Sequence, residues 1–182
     1  MKKIFIIITT LMVISSCTTT KEAKSSRVEL RKEKKLAEQA IVKQAVESKR
    51  FIIKFDRLYL LYGGIVDLVP RANYIIIDGE KAIINTAYLG RQYDIRPIAG
   101  INLFGKAMNY ELTNKLSKGS YEIKMKVKNE GSNSFDVNLT ISINGNCSAS
   151  INSLKINNIN YSGYVVPISD NTNNPVQNGN II

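Results

Sequence analysis

The sequence predicts a mainly β protein, an antiparallel sandwich or partly closed barrel of about eight short strands preceded by one N-terminal helix. Three observations carry that prediction. Apolar and polar residues alternate with period two in several segments after Phe51, turn-forming residues separate those segments at regular spacing, and one stretch of helical period stands ahead of them. With 182 residues, 44% of them hydrophobic, the chain can bury a single core of domain size.

The order of parts runs from a signal sequence (residues 1–16) through a polar tether (17–25), a helix (26–50) and a β domain (51–167) to a disordered tail (168–182). Lys2 and Lys3 precede an apolar run from Ile4 to Ile14, followed by Ser15, Ser16 and Cys17. The run is about half the roughly 20 residues needed to cross a bilayer, which predicts a cleaved segment and not a retained span. Ile14-Ser15-Ser16-Cys17 resembles the bacterial lipobox, an aliphatic residue and two small ones before a cysteine that is lipidated. Two or more acyl chains, palmitate among them, give stable anchoring, so Cys17 is the expected lipidation site and a membrane the expected partner. The alternative is cleavage at an ordinary signal site that leaves Cys17 a free thiol. Thr18 in place of Asp resembles outer-membrane sorting, and no acidic run follows Cys17 to suggest surface display. The expected location is therefore the outer membrane, facing the periplasm.

Residues 18–25 are polar and read as a spacer. Ser26-Arg27-Val28-Glu29 fits a capping box, and a helix free of Gly and Pro should follow to about Lys49. Leu36, Ala37, Ala40, Ile41 and Val46 space into a narrow apolar stripe, which predicts that only the part after Leu36 touches the domain.

The clearest strand is Tyr121-Glu122-Ile123-Lys124-Met125-Lys126-Val127-Lys128, where odd positions are apolar and even ones charged. Phe135 to Ile143 repeats the pattern after the loop-forming Asn129-Glu130-Gly131-Ser132-Asn133, predicting a hairpin. Asn144-Gly145 then turns the chain into a third strand carrying Cys147, Ala149 and Ile151. Upstream, two apolar segments flank Asp78-Gly79-Glu80-Lys81 as another hairpin. Residues 51–61, 108–114 and 159–165 complete the set.

Chemistry is sparse. The chain has no His, which removes the commonest general base and imidazole metal ligand. Neither a metal site nor a cofactor is expected, nor a catalytic residue. Cys147 sits at an inward position of its strand and reads as a buried, inert thiol without a base to activate it. Asp67, Asp94 and Asp136 are too scattered to make a carboxylate pair, and Gly63-Gly64 reads as a turn. Without Lys2 and Lys3 the formal charge is +8, of which residues 17–50 hold +5. A basic segment beside an anchor favours anionic headgroups, and nucleic acid is not an expected partner.

Several segments together resemble a family of small Bacteroidetes lipoproteins known as domain of unknown function 4251. They are Tyr88-Leu89-Gly90-Arg91-Gln92-Tyr93, Gly100-Ile101-Asn102-Leu103-Phe104, Lys118-Gly119-Ser120-Tyr121-Glu122-Ile123, Asn144-Gly145 and Asn158-Ile159-Asn160-Tyr161-Ser162-Gly163. The resemblance covers about residues 17–167 and departs at Thr86-Ala87, where the family usually places Leu-Pro. It implies an envelope location and a β fold, but no reaction.

Within the first motif, Tyr88, Arg91 and Tyr93 form the candidate ligand site. A loop Arg between aromatics can hold a carboxylate or phosphate bidentately. In the competing reading Gly90 makes a turn, the tyrosines pack and Arg91 bonds loop carbonyls. Two non-enzymatic functions follow. The expected one is an accessory module binding an apolar or anionic small molecule in a lipocalin-like cavity; the alternative is a structural module docking onto an envelope protein partner.

Overall fold

The computed structural model describes residues 19–90, 100–131 and 133–169. Helix α1 (Thr19–Glu47) begins seven residues before Ser26, so most of the expected tether is helical and the Ser26–Glu29 pattern does not start the helix. Lys21, Glu22, Ala23 and Lys24 are good helix formers, and a helix nucleated downstream propagates through them at little cost. The helix stops at Glu47, short of the expected residue 50. Lys49 takes a left-handed backbone (φ 55) and its N–H donates to the Val46 carbonyl at 3.2 Å, which terminates the last turn.

Backbone contacts divide the chain after Ala37, and the second unit holds the last turns of α1 together with all the strands. There the helix buries Val42, Ala45 and Val46. Leu36 and Ile41, assigned to the contact stripe from spacing, are 64% and 48% exposed. Val46 is buried as the stripe predicts, while beside it Val42 and Ala45, and not Ile41, face the barrel. Tyr110 fixes this end of the helix: its hydroxyl donates to the Val46 carbonyl at 3.3 Å, and the Lys49 ammonium lies 4.7 Å from its ring centre.

Among the described residues nine strands follow: β1 (Arg50–Tyr59), β2 (Ile65–Asp67), β3 (Tyr74–Asp78), β4 (Lys81–Ala87), β5 (Gly100–Lys115), β6 (Ser120–Lys128), β7 (Ser134–Ser142), β8 (Asn146–Ser153) and β9 (Ile156–Pro167). All pair antiparallel, and β9 returns to β1, so eight strands close into a barrel in the order β1-β3-β4-β5-β6-β7-β8-β9. The choice between sandwich and barrel is therefore settled as a closed barrel. β2 is additional and ladders with Arg57–Tyr59 of β1 above the point where β3 ends. It was not expected from the sequence, and β5 starts eight residues earlier than the predicted 108.

The alternating segments pair as their pattern requires. Tyr121 stands opposite Ile141 and Val127 opposite Phe135. The β7–β8 turn closes with the Gly145 N–H on the Ser142 carbonyl at 2.9 Å, Gly145 supplying the positive φ of 87. Inward side chains fill the barrel: Phe51, Ile53, Phe55, Leu58, Ile75, Ile84, Ile123, Leu139 and Ile151 all lie at 0 to 2% exposure, and Tyr161 stacks on Phe55 with ring centres 4.7 Å apart. An eight-stranded barrel is just wide enough for side chains to occupy. The interior space of a lipocalin-like cavity is taken up here by these residues.

The continuous run Tyr74-Ile75-Ile76-Ile77 is buried on both faces. Ile75 and Ile77 enter the main core, while Tyr74, Ile76 and Ile83 form a second cluster with Ile52 and Ile168. Ile168, the first residue of the expected tail, therefore packs with the folded domain; residues 170–182 lie outside the described residues.

Candidate functional site

Tyr88 is the member of the predicted Tyr88–Arg91–Tyr93 site that the described residues include; Arg91, Tyr93 and Asp94 lie outside them, as does Cys17. Tyr88 follows β4 directly and is 2% exposed, packed in the main core. An ideal Cβ on Gly90 would come within 2.5 Å of the Tyr88 hydroxyl oxygen, so the chain passes close against the ring and a larger residue there would force it to shift.

Around Tyr88 the end of the barrel is tied by polar groups. The Asn73 side-chain oxygen accepts from the Ala87 N–H at 2.7 Å and from the Thr86 hydroxyl at 3.3 Å. Its amide nitrogen donates to the Val69 carbonyl at 3.0 Å, and its own carbonyl accepts from the Phe55 N–H at 2.8 Å. The Tyr161 hydroxyl donates to the Ala87 carbonyl at 2.9 Å, and burial raises its pKa. Buried groups so fully bonded hold the β1, β4 and β9 backbones in place. They present no unsatisfied atom to a ligand.

The remaining candidate groups are inert or paired. Cys147 is a buried free thiol, and burial pushes its pKa up to about 12, the opposite of what a nucleophile needs. Asp136 is 3.1 Å from the Lys126 ammonium, and Asp67 is exposed on β2. Among the described residues, no three His, Cys, Asp or Glu side chains gather as metal ligands. No described helix is long and apolar enough to cross a membrane.

What the sequence reading missed is the β1–β2 hairpin. Its turn closes with the Leu60 N–H on the Gly64 carbonyl at 3.0 Å and the Gly63 N–H on the Leu60 carbonyl at 3.1 Å. Four large apolar residues of this hairpin and the segment after it stand in solvent: Leu61 (52% exposed), Tyr62 (77%), Ile65 (59%) and Val69 (66%). Among the described residues β2 ladders with β1 alone. The signal was present in Gly63-Gly64 between apolar residues, a hairpin pattern.

Comparison with known proteins agrees with this architecture. A crystal structure of a DUF4251 family protein from Bacteroides eggerthii DSM 20697 superposes with a TM-score of 0.61 at 15% identity, covering 72% of this chain and 88% of that one. At that identity the likeness is one of fold. No curated protein matches the chain. The family described as Domain of unknown function (DUF4251) matches residues 33–165, a span that takes in the later turns of α1 and all nine strands to within two residues of the end of β9. The protein therefore belongs to the DUF4251 family.

Proposed function

We propose that this protein is a lipid-anchored component of the bacterial envelope, attached to the outer membrane through Cys17 and facing the periplasm, that acts without catalysis as a docking module for a protein partner. The anchor rests on Ile14-Ser15-Ser16-Cys17 and the absence of Asp at position 18. Docking rests on one observation: a barrel whose interior is filled carries an open edge strand beside a hairpin of exposed Leu61, Tyr62, Ile65 and Val69. An extended segment of a partner can add to β2 through main-chain hydrogen bonds while its apolar side chains cover that hairpin. The rival small-molecule reading needs an internal cavity, and the packed Phe55, Tyr161 and Tyr88 weigh against it.

Two measurements test the proposal. Labelled palmitate fed to cells should enter the wild-type protein and not a Cys17→Ser variant; equal labelling removes the anchor. A photo-crosslinker at position 65 should trap a discrete partner in intact cells, whereas one at Thr140, on the outer wall, should not. Equal trapping at both positions, or at neither, defeats the docking reading.

A further inference from the structure

The outer wall over β4, β5 and β6 combines charge and apolar surface. Phe104, Lys106 and Met108 alternate outward along β5, with Phe104 59% and Met108 48% exposed. Lys106 stands directly opposite Lys81 on β4 and Lys128 on β6. Three ammonium groups thus share one cross-strand row, roughly 10 Å wide at about 4.8 Å per strand. Like charges directly opposite destabilise a sheet. Three charge pairs lie elsewhere on the barrel, Arg50 with Asp78 at 3.2 Å, Lys126 with Asp136 at 3.1 Å, and Lys115 with Glu122. No other cross-strand position sets lysines directly opposite one another among the described residues. Lys81, Lys106 and Lys128 have no ion-pair partner among the described residues.

These side chains border an open groove of about 600 Å³, which Glu130 also lines. Its floor is set by a close backbone approach, because a Cβ on Gly105 would lie 2.2 Å from the Lys128 carbonyl oxygen. Unpaired lysines in a row call for anionic groups, and an exposed Phe and Met on either side of the central lysine call for an apolar phase beside them. A bilayer interface supplies both at once: phosphates for the ammonium groups and the acyl boundary for the ring and thioether.

We propose that the wall formed by Phe104, Met108 and the lysine row Lys81–Lys106–Lys128 docks onto a membrane surface containing anionic phospholipid. The inference rests on the membrane attachment proposed above. Nucleic acid fits less well, since Phe104 is a single aromatic and Glu130 lies in the groove.

The test uses the mature full chain purified from its membrane and reconstituted into phosphatidylcholine vesicles with and without phosphatidylglycerol. A fluorophore on Asn102→Cys, outward on β5 beside the site, is read against one on Thr140→Cys, outward on β7 two strands from β5 and opposite Glu122 at the other end of β6 from Lys128, with a nitroxide quencher in the lipid phase. Quenching at position 102 only, and only with phosphatidylglycerol present, is the expected result. Lys106→Gln and Phe104→Ala, both exposed and tolerable to the fold, should each weaken it by about tenfold, and added salt should weaken it further. Equal quenching at 102 and 140, or no dependence on phosphatidylglycerol, overturns the inference. So does displacement by an oligonucleotide, or saturation by monomeric short-chain phosphatidylglycerol at concentrations that leave vesicles intact, which would identify a free ligand. Retention of the chain on neutral vesicles reads the Cys17 anchor separately, so failure of either idea is visible alone.

Discussion

Asn73 shows how much one buried amide can organise, since its side chain and backbone together bond Val69, Thr86, Ala87 and Phe55. Asn73→Ala should destabilise the domain by about 1–3 kcal/mol, because the Ala87 N–H is left in the interior without an acceptor; urea unfolding measures it. Asn73→Asp keeps the acceptor and should recover part of the loss. Cys147 yields a second prediction, with a sign fixed by linkage. Burial raises the folded-state thiol pKa to about 12 from the ordinary 9.0, so the unfolded chain releases this proton first as pH rises. The contribution to stability is whole below about pH 9 and is lost across the window up to about pH 12. Urea midpoints at pH 8 and pH 10 should therefore differ more in the wild type than in Cys147→Ala. An equal difference would mean that the thiol is not buried in solution. At this scale Cys147 was legible from its place in an alternating strand, whereas the Asn73 network was not, because its partners lie 13 and 14 residues away across a turn.

At the scale of elements, legibility followed period. β6 and β7 were readable because each has one wet and one dry face, and register followed from that alone. The first half of β5 was obscured by Gly105 and the exposed Phe104, which break the alternation for reasons that lie in neighbouring strands. β2, three residues long, is too short to have a period. The helix was visible from composition and Val46 of its stripe is buried, but Val42 takes the place of Ile41 because both are apolar and only packing chooses between them. This choice is testable. Val42→Ala, at a buried position, should cost about 2 kcal/mol, while Ile41→Ala should stay within about 0.5 kcal/mol of wild type. Comparable losses would place the helix in a different rotation against the barrel.

For the whole molecule, closure decides both stability and where function can reside. Joining β9 to β1 closes the ring; among the described residues the stagger leaves each half of β5 laddered mainly on one side, and β2, laddered with β1 alone, is a short strand able to accept another. Closure also spends the interior, since the residues that would line a ligand cavity in a wider barrel meet across this one. The molecule is thus left with its outer wall, and the two surfaces singled out by exposed apolar residues, the β1–β2 hairpin and the wall around Phe104, lie on it. An eight-strand ring opens as a unit, because unpairing any one strand exposes two ladders, whereas β2 can detach from β1 without opening the ring. Amide hydrogen exchange should therefore give β7, β8 and β9 protection near the global unfolding limit, and Ile65 to Asp67 protection lower by orders of magnitude. A partner that adds a strand to β2 should raise the protection of those three residues without changing that of β7. Protection of β2 equal to the ring in the isolated protein would mean that the edge is already covered, and the docking reading would lose its main support.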